Sequence, residues 1–309
     1  MSTQDSSPRS DSGADSAAGH GSPLAAEVLR LLYERASCRN FAQREIPDRL
    51  LDEILQAGVH AATGGNLQPW SIIVVRDPEA RRKLAELNEN QTFMQDAPVN
   101  LVFCIDWRRL ERWAAGAAAP FTATAAFRHF WISFQDTIIA AQSIGTAADA
   151  VGLGSVYVGT VLECFPEVRE MLALPPGVFP VVILTLGWPV HRPAPRGKLP
   201  LQVVVHREQY RELPDDQLAA AYETKYGGAK IDCTPDRLDR LVEVCRRTGG
   251  EELAERCRAR VRAAGSINMA QRYFGLHYPA DFMPAQNASY LRIFEDAGFE
   301  WFREWWPRE

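Results

Sequence analysis

Hydrophobic and polar residues follow two different spacings along this chain, and each spacing predicts one kind of element. Apolar residues at helical spacing predict a helix that begins at Pro23, with Ser22 as its N-cap, and runs into the sequence ERASCRNF. A second helix is predicted from Pro47 to the two glycines at 64–65. Three further helices are predicted at residues 78 onward, 122–150 and 166–174. Unbroken apolar runs predict four strands, with the sequences SIIVV, VNLVFCI, SVYVGTV and FPVVILTLGWP.

Helices and strands are mixed here without strict alternation, so the pattern predicts an α/β or α+β fold with three layers and one main domain. The strand VNLVFCI does not alternate, and we expect it to be covered on both faces. The helix across 122–150 is apolar nearly all round, which predicts a place in the core or in a subunit interface. Its Asp136 is expected to pair with an arginine or a backbone amide rather than to act in catalysis.

Composition divides the chain into three parts. Residues 1–22 contain seven serines and three aspartates with almost nothing large and apolar, so we expect a disordered tail. Residues 23–210 are the predicted main domain. Residues 211–309 are charged and mostly helical and end in an aromatic cluster, which predicts a helical extension that wraps the main domain or a partner.

Charge and cysteine usage exclude several classes of protein. A net charge of -5 argues against a general nucleic-acid partner. No apolar run is long enough to predict a membrane span. The six cysteines lie far apart without a CxxC pair, and the histidines lack metal-ligand spacing, so no metal site is predicted. Reduced thiols point to a cytoplasmic location.

Two polar motifs could bind a ligand. In the sequence RASCR, Arg35 and Arg39 flank Ser37, and guanidinium forks match the oxygens of a phosphate. The alternative is a pair of surface arginines that neutralise nearby acids. In the sequence AATGGNLQPW, glycines let backbone amides approach a ligand, while Asn66 and Gln68 each offer a donor and an acceptor. The alternative is a structural loop whose carboxamides cap neighbouring strands.

Two weaker motifs follow. The glycines of GLGSVYVG, residues 152–159, could bring a backbone N–H against a flat ligand or serve a tight turn. The sequence RGKLP, residues 196–200, puts basic groups in a loop after the last main strand. No GxGxxG follows a predicted strand and no GxSxG elbow is present, so neither a Rossmann nucleotide site nor a hydrolase is supported.

Taken together and in this order, RASCRNF, GGNLQPW, GLGSVYVG and LGWP…PRGKLPL…VVH…Y resemble the nitroreductase family of flavin-dependent oxidoreductases, from about Leu24 to Tyr210. The resemblance implies an α+β, three-layer fold with a central, mostly antiparallel sheet flanked by helices, here followed by the helical C-terminal extension. It implies a homodimer with one FMN in each of two sites at the subunit interface. It also implies a ping-pong cycle, in which NAD(P)H is a transient electron donor and a nitroaromatic, a quinone or another small electron-poor ring accepts the electrons.

The resemblance also implies roles for particular residues, none of them a catalytic acid or base, because hydride moves at the flavin N5 atom. Arg35 and Arg39 would hold the FMN phosphate or ribityl end, and Ser37 would lie near the carbonyl edge of the ring. The remaining implied cofactor residues are Thr63, Gly64, Asn66 and Gln68 from the opposite subunit, Asn90 at the pyrimidine side, Tyr157, Val158 and Gly159 near N5, and Arg196 and Lys198 at the phosphate.

The chain departs from the family pattern at two places. Phe93 stands where many relatives place a lysine, and residues 108–127, expected near the substrate entrance, have their own character. Two alternatives therefore stay open. One is a different flavin chemistry on the same scaffold, such as reductive dehalogenation, azoline oxidation or flavin fragmentation. The other is a non-catalytic flavin-binding protein.

Overall fold

The computed structural model describes residues 22–306, so the predicted tail, apart from Ser22, lies outside the described residues. Helix α1, Pro23–Glu34, begins as predicted: the Ser22 hydroxyl accepts a hydrogen bond from the Ala25 amide at 3.3 Å. The helix ends at Glu34, before the RASCR motif that the sequence pattern had placed inside it. Every residue of α1 is at least partly exposed.

One four-stranded antiparallel sheet forms the centre of the main domain, with the strand order β1-β2-β4-β3. The strands are β1 (Trp70–Val75), β2 (Val99–Asp106), β3 (Gly154–Val158) and β4 (Val178–Gly187). All eight residues of β2 are buried, which confirms that this strand is covered on both faces. The predicted third strand is shorter than expected, because Thr160–Leu162 forms a 3-10 turn.

Helices cover both faces of the sheet and make three layers. Alternate residues of β2, Leu101 and Phe103, pack with Ile54 and Ile144 on one side of the sheet. Val102 and Cys104 pack on the opposite side in a second cluster, which contains Leu84, Met94 and Val168. The helices are α2 (Asp48–Val59) and α6 (Phe127–Ala150) on the first face, and α3 (Pro78–Leu87), α4 (Phe93–Asp96) and α7 (Phe165–Met171) on the second. The α+β, three-layer prediction is thus confirmed.

Helix α6 has two faces with different surroundings. It begins at Phe127 rather than Thr122, because residues 123–125 form a separate 3-10 turn. One face is buried against α2 and the sheet through Ala140, Ala141 and Ile144. The other face carries large apolar residues that are exposed in the single chain. These are Phe127, Trp131, Phe134, Ile138 and Ile139.

The chain after β4 is mostly helical. Its elements are α8 (Leu201–Val204), α9 (Asp215–Tyr226), β5 (Ile231–Asp232), α10 (Pro235–Ala264), β6 (Ser266–Ile267), α11 (Met269–Arg272) and α12 (Asn287–Asp296). Strands β5 and β6 pair with each other in a separate small sheet. Phe299 is fully buried and Trp301 stacks on Phe130 of α6 with 5.1 Å between ring centroids, so part of the aromatic cluster packs on the main domain. The division of the chain at residue 210 stays a prediction.

Within residues 22–306, the structure contains no helix long and apolar enough to cross a membrane. Helix α5, Trp107–Gly116, follows β2 directly and begins where the Asp106 carboxylate accepts a hydrogen bond from the Arg109 amide at 3.0 Å. All of this helix after Trp107 lies inside the segment 108–127 that was expected near a substrate entrance.

Candidate functional site

The RASCR segment lies along the edge of the sheet, beside β3. Ser37 and Ser155 form a parallel bridge, and the Cys38 amide donates to the Ser155 carbonyl at 2.9 Å. A Cβ on Gly154 would come within 2.9 Å of the Cys38 sulfur, so a glycine is needed for this close approach. The pairing brings the first predicted motif and the GLGSVYVG motif into one place.

Arg35 lies over the ring of Tyr157, with 5.5 Å from the guanidinium carbon to the ring centroid. Its Nη2 atom is buried and has no hydrogen-bond partner among the described residues. An unsatisfied buried donor of a charged group is costly, so this atom marks a place where an acceptor is needed. The Tyr157 hydroxyl donates to Gln142 at 3.3 Å, and burial raises the pKa of Tyr157 to about 12.

The sequence analysis missed two charged residues beside Arg35. Asp149, at the end of α6, is only 6% exposed, and its Oδ1 lies 3.8 Å from Nη1 of Arg192. Burial raises the pKa of the Asp149 carboxyl, and the charges of Arg35 and Arg192 oppose that increase. Arg192 also donates to the Leu153 carbonyl at 3.2 Å. A polar residue near the end of an apolar helix was the signal that could have indicated Asp149.

Arg39 is exposed and lies over the ring of Phe93, with 5.7 Å from its guanidinium carbon to the ring centroid. Phe93, which the sequence analysis singled out as a departure from the family pattern, provides an aromatic face for Arg39. Arg35 and Arg39 therefore each stack on one aromatic ring, which leaves their N–H edges available to an anion.

Asp136 of α6 anchors the start of the GGNLQPW loop, residues 64–70, together with Thr63 just before it. Its Oδ2 accepts hydrogen bonds from the Thr63 hydroxyl at 2.7 Å and the Gly64 amide at 3.0 Å. The Thr63 oxygen in turn accepts from the Gln68 amide at 3.0 Å. Asp136 thus pairs with a backbone amide, as predicted. Because Thr63 also bonds to the Gln68 amide, Asp136 connects both ends of the loop through Thr63. Gly65, Asn66 and Gln68 adopt left-handed backbone conformations, with φ of 59°, 56° and 49°.

Most polar groups of this loop already have partners inside the chain. The Gln68 side chain donates to the Val59 carbonyl at the end of α2, at 3.0 Å. Arg109 of α5 donates to the carbonyls of Gln68 and Trp70 at 2.6 and 3.0 Å. Asn66 is exposed. Thr63, Gly64 and Gln68 therefore shape the loop, and Asn66 is its carboxamide on the surface.

A cleft of about 440 Å³ lies between this loop and α5. Its lining consists of Gly65, Asn66, Leu67, Arg109, Leu110 and Trp113. The cleft links the loop to the segment 108–127, so the structure brings the two regions together.

The backbone after β3 is fixed by a polar network that the sequence analysis did not identify. The Thr160 hydroxyl donates to Oδ1 of the buried Asn88 at 2.8 Å and accepts from the Gln91 side chain at 3.1 Å. Gly159, just before Thr160, is exposed, and a Cβ there would meet nothing within 4 Å. Val158 is buried, so only the backbone at Gly159 faces open space. Asn90 is exposed, with a left-handed φ of 54°.

The last two predicted residues, Arg196 and Lys198, are both exposed. The glycine between them packs on the end of α9, where a Cβ would collide with the Lys225 carbonyl oxygen. The basic residue that the structure brings to the Arg35 and Asp149 pair is Arg192. In the described part of the chain, no group of three His, Cys, Asp or Glu residues could hold a metal ion.

These residues fit a flavin mononucleotide. A buried guanidinium nitrogen without a partner among the described residues, close to the Asp149 and Arg192 pair, suits a phosphate. The open backbone at Gly159 suits the edge of a flat ring, and the exposed Asn66 and Asn90 side chains each offer a donor and an acceptor.

Comparison with known proteins identifies what this geometry is similar to. The model of the nitroreductase family matches residues 32–188. The chain is 36% identical over 197 residues to an NADPH-flavin oxidoreductase of Vibrio harveyi, covering 64% of this chain and 80% of that protein. It is 31% identical over 222 residues to an oxygen-insensitive NADPH nitroreductase of Salmonella typhimurium, covering 70% of this chain and 90% of that protein.

Solved structures agree and extend further along the chain. The structure of Bacillus megaterium NfrA2 has a TM-score of 0.67 and 28% identity, and the match covers 89% of this chain and 98% of that one. The NADPH:FMN oxidoreductase of Vibrio harveyi, in complex with NAD⁺, has a TM-score of 0.62 and 27% identity, with 88% and 98% covered. Matches of this extent include much of the helical region after residue 210.

Proposed function

Because the chain belongs to the nitroreductase family, we propose that two copies of it hold FMN between them and reduce a small electron-poor aromatic acceptor such as a nitroaromatic or a quinone. The family and the named activities of its relatives make the chain an FMN-dependent oxidoreductase that uses NAD(P)H. The homodimer, the acceptor and the residues of the site are the proposed parts.

The observation that carries the proposal is the buried Nη2 atom of Arg35, which has no partner among the described residues. A phosphate oxygen would satisfy it with a charge-assisted hydrogen bond, worth about 1.5–3 kcal/mol. Arg39 and Arg192 add positive charge, and the Tyr157 ring keeps the Arg35 guanidinium in place. Arg196 and Lys198 would approach the phosphate from the loop beside α9.

The other residues would position the ring. Ser37 would lie near its carbonyl edge, and Asn90 near its pyrimidine side. The backbone of Val158 and Gly159 would donate toward N5, and a donor there stabilises the negative charge of a reduced flavin. When bound, FMN supplies the hydride chemistry, which no side chain of this chain needs to perform.

The exposed apolar face of α6 supports a homodimer. Phe127, Trp131, Phe134 and Ile138 are 51%, 54%, 41% and 36% exposed, and their spacing of four, three and four residues puts them on one stripe. Helix α1 adds exposed Leu24, Val28 and Leu32. Exposed apolar surface of this kind is typical of a subunit interface. The partner copy would then contribute Thr63, Gly64, Asn66 and Gln68 to the flavin site.

A cytoplasmic location is also proposed, supported by free thiols at all six cysteines, which lie within the described residues.

A visible spectrum of the purified protein, followed by anaerobic titration with NADPH and NADH, tests the function. We expect flavin bands at about 450 nm that bleach with a nicotinamide donor and return when a nitroaromatic or a quinone is added. Flavin that neither donor reduces would favour the non-catalytic alternative. No flavin, even after FMN is added, would overturn the proposal.

Substitution of Trp131 by Asp tests the dimer. A charge in the middle of the apolar stripe should prevent association and lower FMN occupancy, measured by light scattering and flavin absorbance. Arg128→Asp is the matched control, since it changes an exposed charge at the start of the same helix. A Trp131→Asp protein that stays dimeric with full FMN occupancy would contradict the interface.

A further inference from the structure

Helix α10 is bent back on itself at Gly250, which has φ of 73° and ψ of -175°. In a straight helix, Leu241 and Cys257 would be about 24 Å apart, because each residue adds about 1.5 Å. Both nevertheless belong to one buried cluster, together with Val261. Residues 235–249 and 251–264 are therefore the two arms of an antiparallel helical hairpin.

The register of this hairpin places two cysteines opposite each other. Counting outward from Glu251, the facing positions are 248 and 254, then 245 and 257, then 241 and 261. Leu241, Cys257 and Val261 share one buried cluster and Cys245 packs against it, which is consistent with this register. The layers nearest the turn contain only small residues, which let two helices approach closely. These are Cys245, Ala254 and Cys257, with Thr248 next to the turn and exposed.

The two thiols differ in exposure. Cys257 is 7% exposed, whereas Cys245 is half-buried. The Gln271 side chain donates to the Cys257 sulfur at 3.7 Å. Cys245 packs against the buried cluster that contains Cys257. Burial, together with the neighbouring Cys245 thiol, raises the pKa of Cys257 to about 11. An oxidant in solution therefore reaches Cys245 before Cys257. The Cys257 thiol stays protonated near neutral pH.

We propose that Cys245 and Cys257 are a peroxide-sensitive modification site that closes into a disulfide across the α10 hairpin. Hydrogen peroxide oxidises the Cys245 thiol to a sulfenic acid and leaves as one water. The Cys257 sulfur then attacks the Cys245 sulfur, the S–O bond breaks, and a second water departs with the Cys257 proton. Two thiols lose two electrons in total, and one peroxide gains them. This site is separate from the proposed flavin site and does not depend on it.

Cys233 provides an internal comparison. It follows β5, is half-buried and packs against the same cluster. It does not belong to either arm of the hairpin, so the register gives it no facing cysteine. The remaining three cysteines, Cys38, Cys104 and Cys164, are buried in the main domain.

Peptide mapping of the full-length protein tests the proposal. The reduced protein is treated with hydrogen peroxide, its remaining thiols are blocked with N-ethylmaleimide, and it is digested with trypsin without reductant. Because Arg246, Arg247 and Arg256 lie between the two cysteines, cleavage separates their peptides. We expect a cross-linked pair containing Cys245 and Cys257, loss of two of the six free thiols, and full recovery with dithiothreitol.

Two variants sharpen the result. Cys233→Ser should still form the cross-link, whereas Cys257→Ser should accumulate a sulfenic acid on Cys245 that reacts with dimedone. Mapping of the unsubstituted protein decides the question even if a variant folds poorly. A cross-link through Cys233, irreversible oxidation of Cys245 without a disulfide, or no change at Cys233, Cys245 and Cys257 would overturn the proposal.

Discussion

The RASCR segment and the GGNLQPW loop were both predicted to face the same ligand, but they differ in how their polar groups are used. In the loop, Asp136, Val59 and Arg109 already occupy the hydrogen-bonding groups of Thr63, Gly64 and Gln68. In the segment, a buried nitrogen of Arg35 has no partner among the described residues. The loop thus supplies a preformed shape, whereas the RASCR segment supplies an unsatisfied binding group.

The largest effect is expected when Asp136 is replaced by Ala. The Thr63 hydroxyl and the Gly64 amide would both lose their acceptor, which should lower the free energy of unfolding by about 2–4 kcal/mol. Urea unfolding measures the loss. Asp52→Ala, at an exposed position of α2, is the matched control and should change little. Unchanged stability of the Asp136→Ala protein would show that the loop does not depend on this carboxylate.

Replacement of Arg35 by Ala should affect binding rather than stability. Loss of one charge-assisted phosphate contact should weaken FMN binding by about 10- to 150-fold, which corresponds to about 1.5–3 kcal/mol. Fluorescence titration of the apoprotein with FMN measures it. Arg49→Ala, which removes an exposed arginine paired with Glu53, is the control. If Arg35→Ala binds FMN normally but unfolds more easily, the segment is structural, and the contrast with the loop disappears.

The smallest effect is a pH dependence at Asp149. Burial raises the pKa of this carboxyl in the folded state, so its ionised form costs stability above that pKa. Asp149→Asn should therefore stabilise the protein near neutral pH, and the gain should shrink as the pH falls and the wild-type carboxyl is protonated. Urea unfolding of both proteins at several pH values from about 4 to 8 checks the sign. If the stability gained by Asp149→Asn instead grows toward low pH, the charges of Arg35 and Arg192 lower the pKa of Asp149 by more than burial raises it.

Much of the fold could be predicted from the sequence because its signals are local. Unbroken apolar runs identified all four main strands, and the helix starts predicted at Pro23 and at residue 78 agree with the observed helices. The ends of elements were less accurate: the chain leaves helical geometry at Arg35 to pair with β3, and it turns after Val158. Pairing with a distant strand has no local signal.

For the candidate site, the sequence likewise predicted some features and not others. The motifs indicated which segments matter, but not which groups inside them are already bonded. Asp149, Arg192 and Asn88 were missed because each acts through a contact with a residue that is distant in sequence. Asp136 was noticed because a charge in an apolar helix is unusual on its own, and Asp149 has the same signal in weaker form.

The bridge between Ser37 and Ser155 has a consequence for solubility. Strand β3 is at one edge of the sheet, and an uncovered edge offers unpaired amides and carbonyls to the strands of other molecules. The segment around Ser37 covers part of this edge, and it can do so because position 154 has no side chain. A larger residue at Gly154 would therefore expose an aggregation-prone edge as well as displace the arginines. Such variants should be lost to the insoluble fraction before any change in their chemistry could be measured.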